Sequence, residues 1–263
     1  MNRLGGKAMV SQTVDERFQI GRVVQQTLNL CKDNFGVFAL LTVIFSCVPD
    51  AIFALIGLGM DIDPEDTAAV IRGVPGESLV TGLLTIPLSI GLIQAAHAAW
   101  NGTKLTLSQS LEGAGRLFPG MFGMSFLIGL GVILGLILLV VPGVFLALVW
   151  SVAGPLKVLE GRAATEAMSR SADLTKNNRW AILGVYLIYT LICIAAAVVI
   201  AIPAVIVTFL TGGAAAPLFD VVAVPIMTGV AIALFAVGSA VIYRELVQIK
   251  EGGPVGDVGS VFT

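Results

Sequence analysis

The chain has 263 residues, of which 57% are hydrophobic and only 12% charged, and its mean hydropathy is +0.96. A water-soluble domain carries about a quarter charged residues, so half that share cannot cover a globular surface. A soluble enzyme, a nucleic-acid binder and a secreted disulfide scaffold are excluded, and a net charge of −2 supplies no global field for nucleic acid.

What remains is an all-α integral membrane protein, and the chain is organised by what can cross a bilayer. Residues 1–17 are polar and of mixed charge, which predicts a weakly ordered N-terminus. Ile20, Val23, Val24, Thr27, Leu28 and Cys31 then recur at i, i+3, i+4 spacing, with Arg22, Gln25, Gln26, Asn29 and Lys32 opposite. That pattern predicts an amphipathic helix at a membrane surface or against a bundle.

A crossing helix needs about 20 apolar residues, and the first such run covers residues 35–60. It is too long for a signal-peptide core and is expected to stay in the mature protein. Pro49 and Asp50 break it, the proline freeing a carbonyl one turn earlier and the carboxyl capping the next turn. The segment that follows carries Asp61, Asp63, Glu65, Asp66 and Glu77 against Arg72. As a calcium loop it fails on spacing, with Asp66 where glycine is needed and Arg72 where the bidentate glutamate belongs. A short outer helix with Asp63 as N-cap, Pro64 in the first turn and Gly73 as stop accounts for it better.

The second span is predicted over residues 79–100. Its Gln94 and His97 lie near the headgroup end, beside Trp100 and Asn101, and His97 is expected to be wet rather than a ligand. At about 1.5 Å per residue, Asp50 lies about 22 Å into span one, too far from His97 for a proton relay. Thr106 and Gln109 then make a capping box for a short helix over 106–116. The block 118–156 is nearly twice one span, and Val141-Pro142-Gly143 predicts a tight turn inside it. That gives spans at 118–141 and 144–157, the latter short and expected to be either tilted or incompletely crossing.

A further interfacial helix is expected over 164–178, with Glu166, Arg170 and Asp173 on one face and Glu166 paired to Arg170 one turn on. Span five follows at 180–210 and span six at 221–243, with Asp220 at its outer start. A membrane domain over 18–248 results, and the glycine-rich tail 249–263 is expected to be disordered. Six spans, arranged as three hairpins each preceded by a cytoplasmic interfacial helix, make a threefold pattern. Glycines such as Gly129, Gly131 and Gly135 suit close helix packing.

The basic residues sort accordingly. Fourteen of the fifteen fall on one side of a six-span arrangement and only Arg72 on the other. The enrichment of cytoplasmic segments in Lys and Arg places both termini in the cytoplasm, in a bacterial inner membrane. Phe35, Trp100, Phe118, Trp180 and Tyr243 are expected as an aromatic belt on that side.

No common chemistry assembles from these residues. One histidine and no CxxC, HExxH, GxSxG or GxxxxGK[ST] motif leave no catalytic, metal or cofactor constellation. Cys31, Cys47 and Cys193 read as reduced packing residues. The intramembrane polar residues Asp50, Gln94 and His97 are the default functional candidates.

The run from Trp150 through Pro155, Lys157 and Glu160 to Gly161, followed by Met168, Arg170, Ser171, Leu174, Lys176 and Trp180, carries a family likeness. It resembles the membrane domain of bacterial glycerophosphoryl diester phosphodiesterases and related stand-alone six-span proteins of unknown function. The start of span one, Lys32-Asp33-Asn34-Phe35, is similar as well. The resemblance implies that phosphodiesterase chemistry belongs to a separate soluble barrel domain, so none is expected here. It also points to Glu160, Arg170, Ser171 and Lys176 as the place where a lipid headgroup or a protein partner would be gripped at the cytoplasmic face. The expected function is that of a non-enzymatic scaffold or lipid- and partner-binding membrane protein, with membrane lipids as partners and no nucleic acid. A small transporter or channel is the alternative, and an intramembrane lipid-modifying enzyme using Asp50 or His97 comes third.

Overall fold

The computed structural model describes residues 18–57, 67–103, 105–213 and 216–252. The N-terminus 1–17, the acidic segment with Asp61, Asp63, Glu65 and Asp66, Lys104 and the tail from 253 lie outside the described residues, as do the side chains of Arg72, Glu77 and Asp220.

All regular structure among the described residues is helical. The elements are α1 (Ile20–Asp33), α2 (Phe35–Thr42), a π-helical turn (Val43–Cys47), α3 (Val48–Gly57), α4 (Thr67–Trp100), α5 (Leu107–Leu138), α6 (Val140–Val149), α7 (Ala153–Glu160), α8 (Ala164–Thr175), α9 (Arg179–Leu210) and α10 (Ala216–Glu251). Six segments are long and apolar enough to cross a membrane: Phe35–Ile52, Val80–Trp100, Leu107–Leu138, Val140–Glu160, Arg179–Leu210 and Val222–Glu251. This is the make-up of a multi-pass membrane protein. Large apolar side chains such as Leu191, Val199, Val205 and Phe209 stay exposed along α9, as lipid-facing positions require.

Local chemistry explains most boundaries. Pro49 has no N–H to offer the carbonyl of Phe45, and the chain absorbs the defect as the π-helical turn immediately before it. Asp50 lies in the first turn of α3. Thr106 and Gln109 form the capping box at the head of α5, with Thr106 N–H donating to Gln109 Oε1 at 3.0 Å.

Several expectations are corrected. α4 runs unbroken through Gly73, which does not stop a separate helix. The helix begun by the capping box does not end at residue 116 but continues through Pro119 into the apolar run. The turn after it falls at Leu139, three residues ahead of Pro142. Pro142 instead occupies the first turn of α6, where its missing N–H would have had no intrahelical partner. The fourth apolar segment is longer than 144–157 and is interrupted at Trp150-Ser151-Val152. α8 ends at Thr175, with Asn177 in the left-handed region at φ 73°. α10 continues past both 243 and 248 to Glu251.

α10 forms the axis of the packing. Its Val237, Val241, Ile242 and Leu246 are fully buried, together with Leu88, Ile90 and Leu92 of α4 and Ile182, Val185 and Tyr189 of α9. α1 docks on α9 and α10 through buried Val23 and Thr27, with Thr27 Oγ1 and the Tyr189 hydroxyl 2.7 Å apart. Arg22 adds a 3.0 Å ion pair to Glu245. Leu28, expected on the packing face, is exposed, and Leu30 lies against the core instead.

Candidate functional site at the basic end

Charged side chains at the ends of α7 and α10 meet those of α8 at one end of the bundle, where Glu160 joins Arg162 and Arg170. Placed at the C-terminus of α7, it accepts the Tyr243 hydroxyl at 2.7 Å, the Arg170 Nε at 3.2 Å and the Nε of Arg162. Arg170 also reaches Glu251, with Nη2 to Oε1 at 2.8 Å. Burial works to lower the Arg170 pKa, yet the carboxylates of Glu160 and Glu251 raise it overall, so the guanidinium keeps its charge. Gly161 follows in the left-handed conformation at φ 66°, which turns the chain so that Arg162 folds back onto Glu160.

This geometry separates the four residues singled out from the sequence. Glu160 and Arg170 are joined directly, but to each other and to Glu251 rather than through Glu166, so the expected i, i+4 pair is not made. Ser171 is fully buried and donates to the carbonyl of Val149 at 2.7 Å, which removes it from any surface contact. Lys176 is exposed at the end of α8. Tyr243 is no belt residue: it is 2% exposed and faces Glu160. Trp180 is 85% exposed, and Trp100 lies under the Arg244 guanidinium at 5.0 Å.

Two concavities open at this end. The first, of about 460 Å³, is lined by Gln94, His97 and Asn101 of α4 with Gln109, Glu112 and Arg116 of α5. Gly113 makes room for it, since a Cβ there would stand 2.4 Å from Gln94 Nε2. His97 Nε2 lies 3.2 Å from Asn101 Nδ2, so the histidine has a partner that the sequence did not reveal. Asp50, on α3, is not among the lining residues.

The second concavity is an apolar groove of about 500 Å³ between α6 and the start of α9. Val140, Val141, Val144, Phe145, Leu148 and Leu183 line it, and Asn177, Arg179 and Trp180 stand at its rim. The Arg179 guanidinium lies over the Phe145 ring at 4.6 Å, and Nη2 donates to the carbonyl of Ala172 at 3.4 Å. Its Nε is buried and has no hydrogen-bond partner among the described residues. A guanidinium at the rim of an apolar groove is suited to an anionic head attached to an apolar tail.

Sequence reasoning counted Arg179 only as one basic residue among many. The signal that bears on it is its place directly before Trp180 at the start of a span, an arginine and an aromatic ring at headgroup level. Among the described residues, no three His, Cys, Asp or Glu side chains converge as a metal site. The thiols of Cys31, Cys47 and Cys193 are free, and burial pushes that of Cys31 up to about 11, which keeps it protonated at neutral pH.

A family described as a domain of unknown function (DUF7847) matches residues 77–249, which takes in α5 to α9, most of α4 and α10, and both concavities. No curated protein and no solved structure matches the chain.

Proposed function

The chain belongs to the DUF7847 family, and from that premise we propose that it is a non-enzymatic protein of the bacterial inner membrane that holds a phospholipid at its cytoplasmic face. The single observation that carries this reading is the apolar groove rimmed by Arg179, whose guanidinium lies over Phe145 beside an exposed tryptophan. A phosphodiester would pair with the Arg179 guanidinium through a charge-assisted hydrogen bond, and an acyl chain would cover Val140, Val144 and Leu183. Positively charged segments favour the cytoplasmic side, which is why both termini are assigned there.

The finer architecture belongs to the same proposal. α1 before the first two spans and α8 before the last two serve as cytoplasmic interfacial helices, and each precedes a transmembrane hairpin. The likeness to the membrane domain of glycerophosphoryl diester phosphodiesterases is part of this reading and rests on the run from Trp150 to Trp180. It favours a lipid-associated role over a catalytic one.

Native mass spectrometry of the detergent-purified protein tests the proposal. The wild type and Arg170→Ala are expected to retain a phospholipid, because Arg170 is engaged by two carboxylates. Arg179→Gln, which removes the charge, and Val144→Trp, which fills the groove, are expected to lose it. Equal lipid occupancy in all four proteins would overturn the reading.

A small transporter is the second reading, and one observation favours it. An open concavity of about 360 Å³ is lined by Thr85, Ser89, Ser151, Tyr186 and Ser239 among apolar neighbours. Solute flux in liposomes distinguishes it from the lipid-binding reading.

A further inference from the structure

We propose that α5, α6 and α7 do not cross the bilayer: α5 lies along the basic end of the bundle, and α6 and α7 form a re-entrant pair that enters and leaves on that same side. The tip between α5 and α6 is then an interaction surface for the acyl chains of the basic-side leaflet.

The argument follows the contacts of α6 and α7 in order. Val140 and Val141 share a groove with Asn177, Arg179 and Trp180, at the start of α9. Phe145 packs on Arg179. The carbonyl of Ser151 accepts the hydroxyl of Tyr186 at 3.4 Å, two helical turns further along α9 and about 10 Å deeper. Beyond the turn, Gly154 meets Ile93 and Met121, and Glu160 is back among Arg162, Arg170 and Glu251. α6 therefore descends beside α9 from the basic end, and α7 returns to that end. In a hairpin that crossed the membrane, Val140 and Val141 would sit at the opposite end from Arg179.

α5 obeys the same geometry. Its first turns line the polar concavity with Gln94, His97 and Asn101 near the end of α4. Gly120 lies beside the Lys157 amine, which would be 2.8 Å from a Cβ at that position. Gly135 packs against Gly143 of α6, whose Cα would be 2.8 Å from a Cβ there. A helix of 32 residues is about 48 Å long, and both its ends are tied to the basic end of the bundle.

Non-helical backbone at membrane depth is tolerated only where it is buried and satisfied, and the apex meets both conditions. Val152 is fully buried. The carbonyl of Val149, freed by the end of α6, accepts Ser171 Oγ at 2.7 Å and Thr175 Oγ1 at 3.4 Å. The carbonyl of Leu148 takes Ser151 N–H, and that of Trp150 takes Ala153 N–H. Leu136–Val141, by contrast, carries no charge, and Ile137, Leu138 and Val141 are each more than 70% exposed. Beside Trp180 and Arg179 at headgroup level, such a surface fits acyl chains of the same leaflet.

The test is chemical bridging of the full chain in native membranes, with Cys31, Cys47 and Cys193 replaced by alanine. Val141→Cys with Trp180→Cys, and as a second pair Val140→Cys with Leu183→Cys, are expected to be bridged within one chain by a short bifunctional maleimide in most molecules. Val141→Cys with Thr211→Cys, at the far end of α9, is expected to stay unbridged. Bridging of the 141–211 pair would overturn the proposal. So would failure of both groove pairs when each single cysteine is alkylated. These readouts do not depend on whether a phospholipid is retained in the groove.

Discussion

At the scale of single residues, Glu160 is the side chain on which the basic end depends. It is 14% exposed and answers two guanidinium groups and a buried phenol. Removing its charge leaves Arg162 and Arg170 with one carboxylate between them, and partly buried charges left unpaired cost more than the pair contributed. Glu160→Gln is expected to lower stability by about 1–3 kcal/mol, read as a fall of several degrees in the thermal unfolding midpoint in detergent. An unchanged midpoint would show that the hub contributes nothing measurable. Glu160 and Arg170 were singled out in the sequence only through the family resemblance, together with Ser171 and Lys176, and the partner that helical spacing offered Arg170 was Glu166. Their partners Tyr243 and Glu251 were not legible there. They are 83 and 81 residues away from Glu160 and Arg170 respectively, and no local pattern reports a contact of that range.

At the scale of elements, the pairing of α5 with α6 rests on two glycines that let backbones touch. A Cβ at Gly143 would stand 2.4 Å from the Leu136 Cγ and 2.7 Å from the Leu136 backbone nitrogen, so neither a rotamer change nor a small shift relieves it. Gly143→Ala is therefore expected to cost about 1–3 kcal/mol and to separate α6 from α5. Faster proteolysis near Leu139 in detergent checks this, with Gly129→Ala as the control, since a Cβ there meets nothing within 4 Å. The existence of these helices was readable from hydropathy and from the Thr106 capping box. The turn was misplaced because Pro142 was taken as its breaker, when a proline in the first turn of a helix breaks nothing. Pro119, by contrast, lies inside α5, which continues through it, and Pro49 is accommodated by the π-helical turn before it.

At the scale of the whole molecule, the charge distribution implies two sides. Cysteines placed at Lys176 and Thr211, on either side of the 32-residue α9, are expected to react with a membrane-impermeant maleimide from opposite faces of oriented vesicles. Reaction of both from one face would refute the assigned topology. This sorting of charge is blind to the path of α5, α6 and α7. A segment that crosses twice and a segment that never crosses both return the chain to the side it left. The uncharged turn at Leu139 carries no residue that would vote either way.

Composition and the spacing of apolar runs thus determined the class of this protein, the number of long apolar helices and the gathering of basic residues at one end, because each depends on transfer of side chains between water and lipid and is nearly local in the chain. Depth, partners and grooves were decided only by the tertiary structure. Whether Ser171 faces lipid or a helix end, whether Arg179 is one cation among many or rims an apolar groove, and whether an apolar pair of helices crosses or returns all depend on contacts between elements distant in sequence. Hydropathy scores how willingly a segment leaves water and carries no information on the neighbour against which it then packs.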